Sequence, residues 1–155
     1  LSALSRDTSA SPELRGYAVL GAALTGSVDA AGPVRAALSA ESPPDLRRGA
    51  ALAAGVRPFP GSPGLLLRVL LEERNPTVRG AALLGLGLAP DRGAIPLLAD
   101  IAGGDSGAGS VERTEAVAAL GQLSLRGTLA PAARLAAGVN YRDLSAALDM
   151  ATRVF

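Results

Sequence analysis

An all-α, right-handed α-solenoid of about four and a half helical hairpins is the fold class this sequence predicts, and three observations predict it. The first is an interval. Leu14-Arg15, Leu46-Arg47 and Val78-Arg79 recur 32 residues apart, and each opens a run of Ala, Leu and Gly: ELRGYAVLGAAL, DLRRGAALAAGV and TVRGAALLGLGL. The second is composition. Hydrophobic residues make up 48% of the chain, yet there are two Tyr, two Phe and no Trp. The apolar content is therefore Ala, Leu and Val, which let helices approach closely. The third is punctuation, because each run follows a proline at a helix start and is closed by turn residues. Units of this length cannot bury their own apolar face and stack on their neighbours.

Taken in order, residues 1–10 predict the tail of a preceding helix and a polar turn. Ser11-Pro12-Glu13 supplies an N-cap, a proline at the first helical position and an acid in the first turn, each favourable where four backbone N–H groups lack partners. Leu14, Tyr17, Ala18, Gly21 and Leu24 follow at helical spacing, and Thr25-Gly26-Ser27 stops the helix. Asp29 is the expected cap of the second helix, with Val34, Ala37 and Leu38 inward. Ser42-Pro43-Pro44-Asp45 starts unit two in the same way. The connector from Arg57 to Pro63 holds three prolines and cannot be helical; Phe59 within it is expected to fold back over the helix ends. Leu65, Leu66, Val69 and Leu70 mark the next helix.

Asn75-Pro76 caps unit three. Asp91 caps its second helix, in which Ile95, Leu98 and Ile101 face inward and Pro96 sits near the start, where the amide it removes has no partner. Pro33 and Pro131 predict the same early position in units one and four. The fourth copy, TEAVAALGQL from Thr114, comes after 36 residues, places Glu115 where the arginine stood, and puts the extra length in the glycine-rich stretch 103–109. Asn140 with Asp143 opens a fifth unit in the manner of a capping box. The predicted units are 11–41, 42–74, 75–109, 110–139 and an incomplete 140–155, within one repeat domain over 1–155. A start without Met and an unfinished last unit predict a piece of a longer protein with other domains.

Glycine inside a helix costs roughly 1 kcal/mol against alanine. Gly21, Gly85 and Gly121 fall at one register position, with Ala53 in the remaining unit, so a neighbouring helix is expected to press on the backbone there. Gly85→Leu is expected to destabilise by overpacking.

The opening Pro-x-[LV]-Arg-x-x-Ala stands at Pro12, Leu14, Arg15 and Ala18; at Pro44, Leu46, Arg47 and Ala50; and at Pro76, Val78, Arg79 and Ala82. With the paired helices and the period, it resembles HEAT repeats of the short bacterial type, the PBS-lyase HEAT-like repeats, over residues 11–155. The resemblance implies an armadillo-like helical scaffold that binds protein. A minority of such proteins are chromophore lyases, nucleic-acid-binding repair enzymes or regulators. Unit four lacks the arginine, and unit two carries the proline-rich connector.

Composition narrows the chemistry. Cysteine and histidine are absent, which removes thiol catalysis, disulfides, thiolate or imidazole metal sites and the ordinary base of a nucleophilic serine. All 15 basic residues are arginine and the net charge is +1. The longest uncharged stretch, 16–28, is well short of the ~20 residues of a membrane span. The stretch from Gly104 to Ser110 has phosphate-loop spacing but lacks the lysine and the preceding strand, so it is expected to be an insertion between units. Glu72, Glu73, Glu112 and Glu115 read as helix-end surface. Arg15, Arg47 and Arg79 are expected to bond to loop carbonyls or to an acid of an adjoining unit. Arg35, Arg68, Asp100 and Arg134, at intervals of 33, 32 and 34, predict a polar ridge on the second helices, which in this architecture line the concave face. The expected function is a non-enzymatic protein-interaction scaffold with no cofactor or metal and a protein partner of unspecified identity. The alternatives are a nucleic-acid-binding module using the same arginines, disfavoured by the charge and the few aromatics, and an accessory lyase-type subunit.

Overall fold

The computed structural model describes residues 2–26, 31–104 and 106–136, with side chains described as far as Ser124. The chain divides into two compact units, Leu1–Leu123 and Ser124–Phe155. Among the described residues there are eight α-helices and no strand. They are α1 (Ser2–Arg6), α2 (Pro12–Leu24), α3 (Ala31–Ala37), α4 (Pro44–Val56), α5 (Ser62–Glu72), α6 (Pro76–Leu88), α7 (Ile95–Gly103, entered through a 3-10 turn at Arg92–Ala94) and α8 (Ser110–Ala136).

In the first unit the helices form stacked hairpins, α2 with α3, α4 with α5 and α6 with α7, as the 32-residue interval predicts. The first helices pack side by side, α2 on α4 and α4 on α6, while α3 and α5 lie against α4 and α5 also lies against α6. α1 packs on α2 at the place a preceding second helix would take. The buried face repeats with the unit. Val34, Leu66 and Leu98 stand 32 residues apart, each is at most 1% exposed, and all three belong to one continuous apolar core with Ala50, Ala53, Ala82 and Leu86.

Small residues let the first helices touch main chain to main chain. A Cβ on Gly16 would lie 2.6 Å from the carbonyl oxygen of Asp45, and one on Gly49 would collide with the Gly16 backbone. A Cβ on Gly55 would meet the Gly85 backbone, and one on Gly87 would sit 2.5 Å from the Cα of Ala119 in α8. Gly85 fulfils its expected role, since a Cβ there would approach Ala51 O to 2.7 Å and Leu66 to 3.3 Å. Gly121, at the same register, does not: no heavy atom lies within 4 Å of the Cβ position and the residue is exposed.

The expected starts hold at two hairpins and change at a third. The N–H of Leu14 donates to Ser11 Oγ at 3.2 Å, and those of Thr77 and Val78 donate to Asn75 Oδ1 at 3.0 and 3.4 Å. At α4 the capping residue is Pro43, which makes no side-chain bond. Two consecutive prolines have displaced Ser42 by one position, and its carbonyl accepts from Arg47 instead. Asp91 caps the 3-10 turn through the N–H of Gly93 at 2.9 Å. The turn expected inside unit four is not formed, because α8 runs as one helix from Ser110 to Ala136 with Pro131 inside it. Leu, Ala and Arg, strong helix formers, flank the proline on both sides. Asp29 and the fifth unit from Asn140 lie outside the described residues.

Candidate functional site

The proline-rich connector determines where the polar groups of unit two gather. Ser62 is fully buried, its Oγ accepts from the N–H of Phe59 at 3.2 Å, and its own N–H donates to Phe59 O at 2.9 Å. This closed turn, with Gly61 left-handed at φ 84°, folds Phe59 back against the core as expected. The Arg35 guanidinium from α3 then lies 4.6 Å from the Phe59 ring centre and donates to Pro60 O at 2.6 Å. Cation–π contact and a carbonyl bond together immobilise an otherwise exposed side chain.

Arg35 in this position overhangs a groove of about 510 Å³ between α3 and α5. Leu38, Leu65 and Val69 supply its apolar part, and Arg35, Arg68 and Arg74 are charged groups of its wall. Two of the four ridge candidates, Arg35 and Arg68, are thus brought to one site. They are not in one register, however. Arg68 follows the buried Leu66 by two residues and Asp100 follows Leu98 by two, whereas Arg35 follows Val34 by one. Asp100 is exposed on α7 and does not line this groove. The side chain of Arg134 lies outside the described residues.

The repeated arginines behave as expected of structural groups. Arg47 Nε pairs with Glu73 Oε2 at 2.8 Å, both side chains being 13% accessible, and Nη1 donates to the carbonyls of Ala40 and Ser42. Arg79 Nε pairs with Glu112, and Nη1 donates to Leu70 O at 2.7 Å and Glu73 O at 3.4 Å. Arg15 Nε donates to Ser5 O at 3.2 Å. Each guanidinium ties the start of a first helix to the end of an earlier second helix. Burial works to raise the pKa of Glu73, but the N–H of Asn75, the Arg47 guanidinium and the N–H of Arg74 outweigh it and hold the carboxyl below its ordinary value.

One member of this set was not read from the sequence. Unit four has Glu115 where the arginine is expected, yet Arg113 Nε donates to Ala102 O at 3.3 Å, and Ala102 stands 32 residues after the Leu70 that accepts from Arg79. The arginine has moved two residues along the helix and kept its carbonyl. The left-handed Gly104, φ 93°, caps α7 through its N–H to Asp100 O and Ile101 O, so the glycine-rich stretch serves as a helix stop.

A second groove, about 480 Å³, lies between α1 and α3. Its lining residues Arg15, Pro33, Ala36 and Ala37 correspond, at +32, to Arg47, Leu65, Arg68 and Val69 of the first groove. The site is therefore a repeated feature of the stack. Arg6 and Arg15 are its charged groups.

Among the described residues, no group of three or more acidic side chains is placed to hold a metal ion, and no helix is long and apolar enough to cross a membrane. Compared with family models, with curated proteins and with solved structures, the chain gives no match.

Proposed function

We propose that this chain is a non-enzymatic protein-interaction module of the HEAT-like kind, binding a protein partner along the face formed by α1, α3 and α5. The observation that carries the reading is the recurrence, one repeat apart, of an apolar groove edged by arginine. Stacked hairpins present such grooves as continuous binding surfaces. A groove that combines apolar lining with a few charged groups suits recognition of a side-chain sequence. The PBS-lyase-like opening at Pro12, Pro44 and Pro76 points the same way.

The test is a quantitative pull-down with the full chain, comparing wild type with an Arg35→Glu, Arg68→Glu double variant. A partner enriched by wild type should be lost tenfold or more in the variant; equal enrichment by both refutes the placement of the interface. The arginine edge also favours a second reading, nucleic-acid binding. Under it, affinity for an oligonucleotide falls steeply and linearly in log–log terms with salt. The net charge of +1 and the scarcity of aromatic rings for base stacking weigh against that reading.

A further inference from the structure

The two grooves share an imbalance of charge. In the α3–α5 groove Glu73 is already engaged, by Arg47 at 2.8 Å and by the N–H groups of Arg74 and Asn75. That leaves the guanidinium groups of Arg35, Arg68 and Arg74 facing the single carboxylate of Glu72. Arg68 is exposed and makes no hydrogen bond or ion pair. In the α1–α3 groove Arg6 and Arg15 have no acid among the lining residues. The nearest carboxylate is that of Asp7, whose Oδ1 accepts from the amide and hydroxyl of Ser9 at 2.9 and 2.6 Å. The acid that would match Glu73 for Arg15 is Glu41, 32 residues earlier; it is exposed and forms no ion pair.

We infer that the two grooves together take an extended acidic segment of a partner protein, one carboxylate at each groove and an aliphatic side chain on the apolar lining between them. The inference rests on the interaction reading above and specifies its ligand. Guanidinium groups match carboxylates by paired, charge-assisted hydrogen bonds. Arg35, clamped by Phe59 and Pro60, and Arg15, held by Ser5, have lost part of their rotamer freedom before any ligand arrives, which reduces the entropic cost of binding. The repeat sets the spacing. Stacked helices lie about 8–10 Å apart and an extended chain advances about 3.3–3.6 Å per residue, so the matching acids stand about three residues apart. The direction in which the acidic tract ends is also set. Asp100 takes, in the next unit, the place of Arg68, and a third acid there meets a like charge.

The experiment is fluorescence anisotropy of the full chain with a labelled peptide containing Asp-Leu-Ser-Asp. Three controls replace both Asp by Lys, replace Leu by Ser, or make the two Asp adjacent, and a single-stranded oligonucleotide serves as a plain polyanion. Arg68→Glu and Arg6→Glu are the variants, since neither side chain makes a hydrogen bond or ion pair in the fold, and unchanged thermal melts establish that both remain folded. Saturable binding of the first peptide, at least tenfold weaker with each control peptide and with each variant, is expected. The double variant should instead prefer the Lys peptide. Binding that ignores the leucine and the spacing, or that the oligonucleotide matches, overturns the inference in favour of a nonspecific polyanion surface. Failure of the acidic peptide to bind also overturns it. In that event a pull-down partner still lost in Arg35→Glu, Arg68→Glu leaves the interaction reading standing, whereas indifference of every captured protein to those changes removes both.

Discussion

Gly55 and Gly121 make opposite predictions about the same substitution. At Gly55 a Cβ would run into the oxygen, Cα and carbonyl carbon of Gly85. All three are main-chain atoms of the neighbouring first helix, so no rotamer change relieves the clash and α4 and α6 must move apart. Overpacking of this kind costs about 3 kcal/mol, the upper end of the usual range. The better helix propensity of alanine returns about 1 kcal/mol, for a net loss of about 2 kcal/mol. At Gly121 the same Cβ enters open space, and only the gain of about 1 kcal/mol remains. In a chain of this size each kcal/mol moves Tm by about 2–4 °C. Gly55→Ala should therefore melt about 4–8 °C below wild type and Gly121→Ala about 2–4 °C above it, followed by far-UV circular dichroism and checked by the urea midpoint. Shifts of the same sign in the two variants would refute the account of main-chain contact between first helices.

Gly85→Leu, whose Cβ would already press on Ala51 O and Leu66, should lose about 3 kcal/mol or more of stability in urea unfolding. Glu73→Gln, which removes the charge opposite Arg47 and weakens the acceptor of two backbone N–H groups, should cost about 1–3 kcal/mol at neutral pH. Because the folded-state pKa of Glu73 is depressed below 4.5, the stability this carboxylate contributes is complete above that value and is lost as pH falls through the lower folded-state pKa. The gap between wild type and Glu73→Gln should accordingly close on acidification below 4.5, and a gap that persists in acid would assign the loss to packing. Arg35→Lys keeps the charge but forfeits the planar stack on Phe59; a loss of about 0.5–1 kcal/mol is expected, with faster hydrogen exchange at the Phe59 amide as the local signature.

What the sequence made legible follows from what is periodic in it. The stacked hairpins, the buried column Val34, Leu66 and Leu98, the close approach at Gly85 and the structural use of Arg47 and Arg79 all depend on a 32-residue register that can be counted. What escaped depends on local competition or on contacts between distant residues. The shift of the cap from Ser42 to Pro43 is decided by two adjacent prolines. The openness at Gly121 depends on what lies beside it, which its own helix does not encode. Arg113 replaces the missing arginine because a side chain this long can start two residues earlier and still reach Ala102 O. Its interval of 34 from Arg79 was the available clue. The ridge at Arg35 and Arg68 was read from near-equal spacing, and the one-residue offset places the two on different sides of their helices. They converge on one groove only because Arg35 is drawn toward the connector at Phe59 and Pro60.

The main-chain contacts along the first helices bear on how an array like this lengthens. A copied hairpin is accepted only where its bare positions fall opposite its new neighbour's backbone, and those positions differ from joint to joint: Gly49 meets Gly16, Gly55 meets Gly85, and Gly87 meets Ala119. The hairpins are consequently not interchangeable beads. Their order along the chain is written into the placement of residues with no side chain at all, so shuffling two of them would jam the seam even though every buried leucine kept its place.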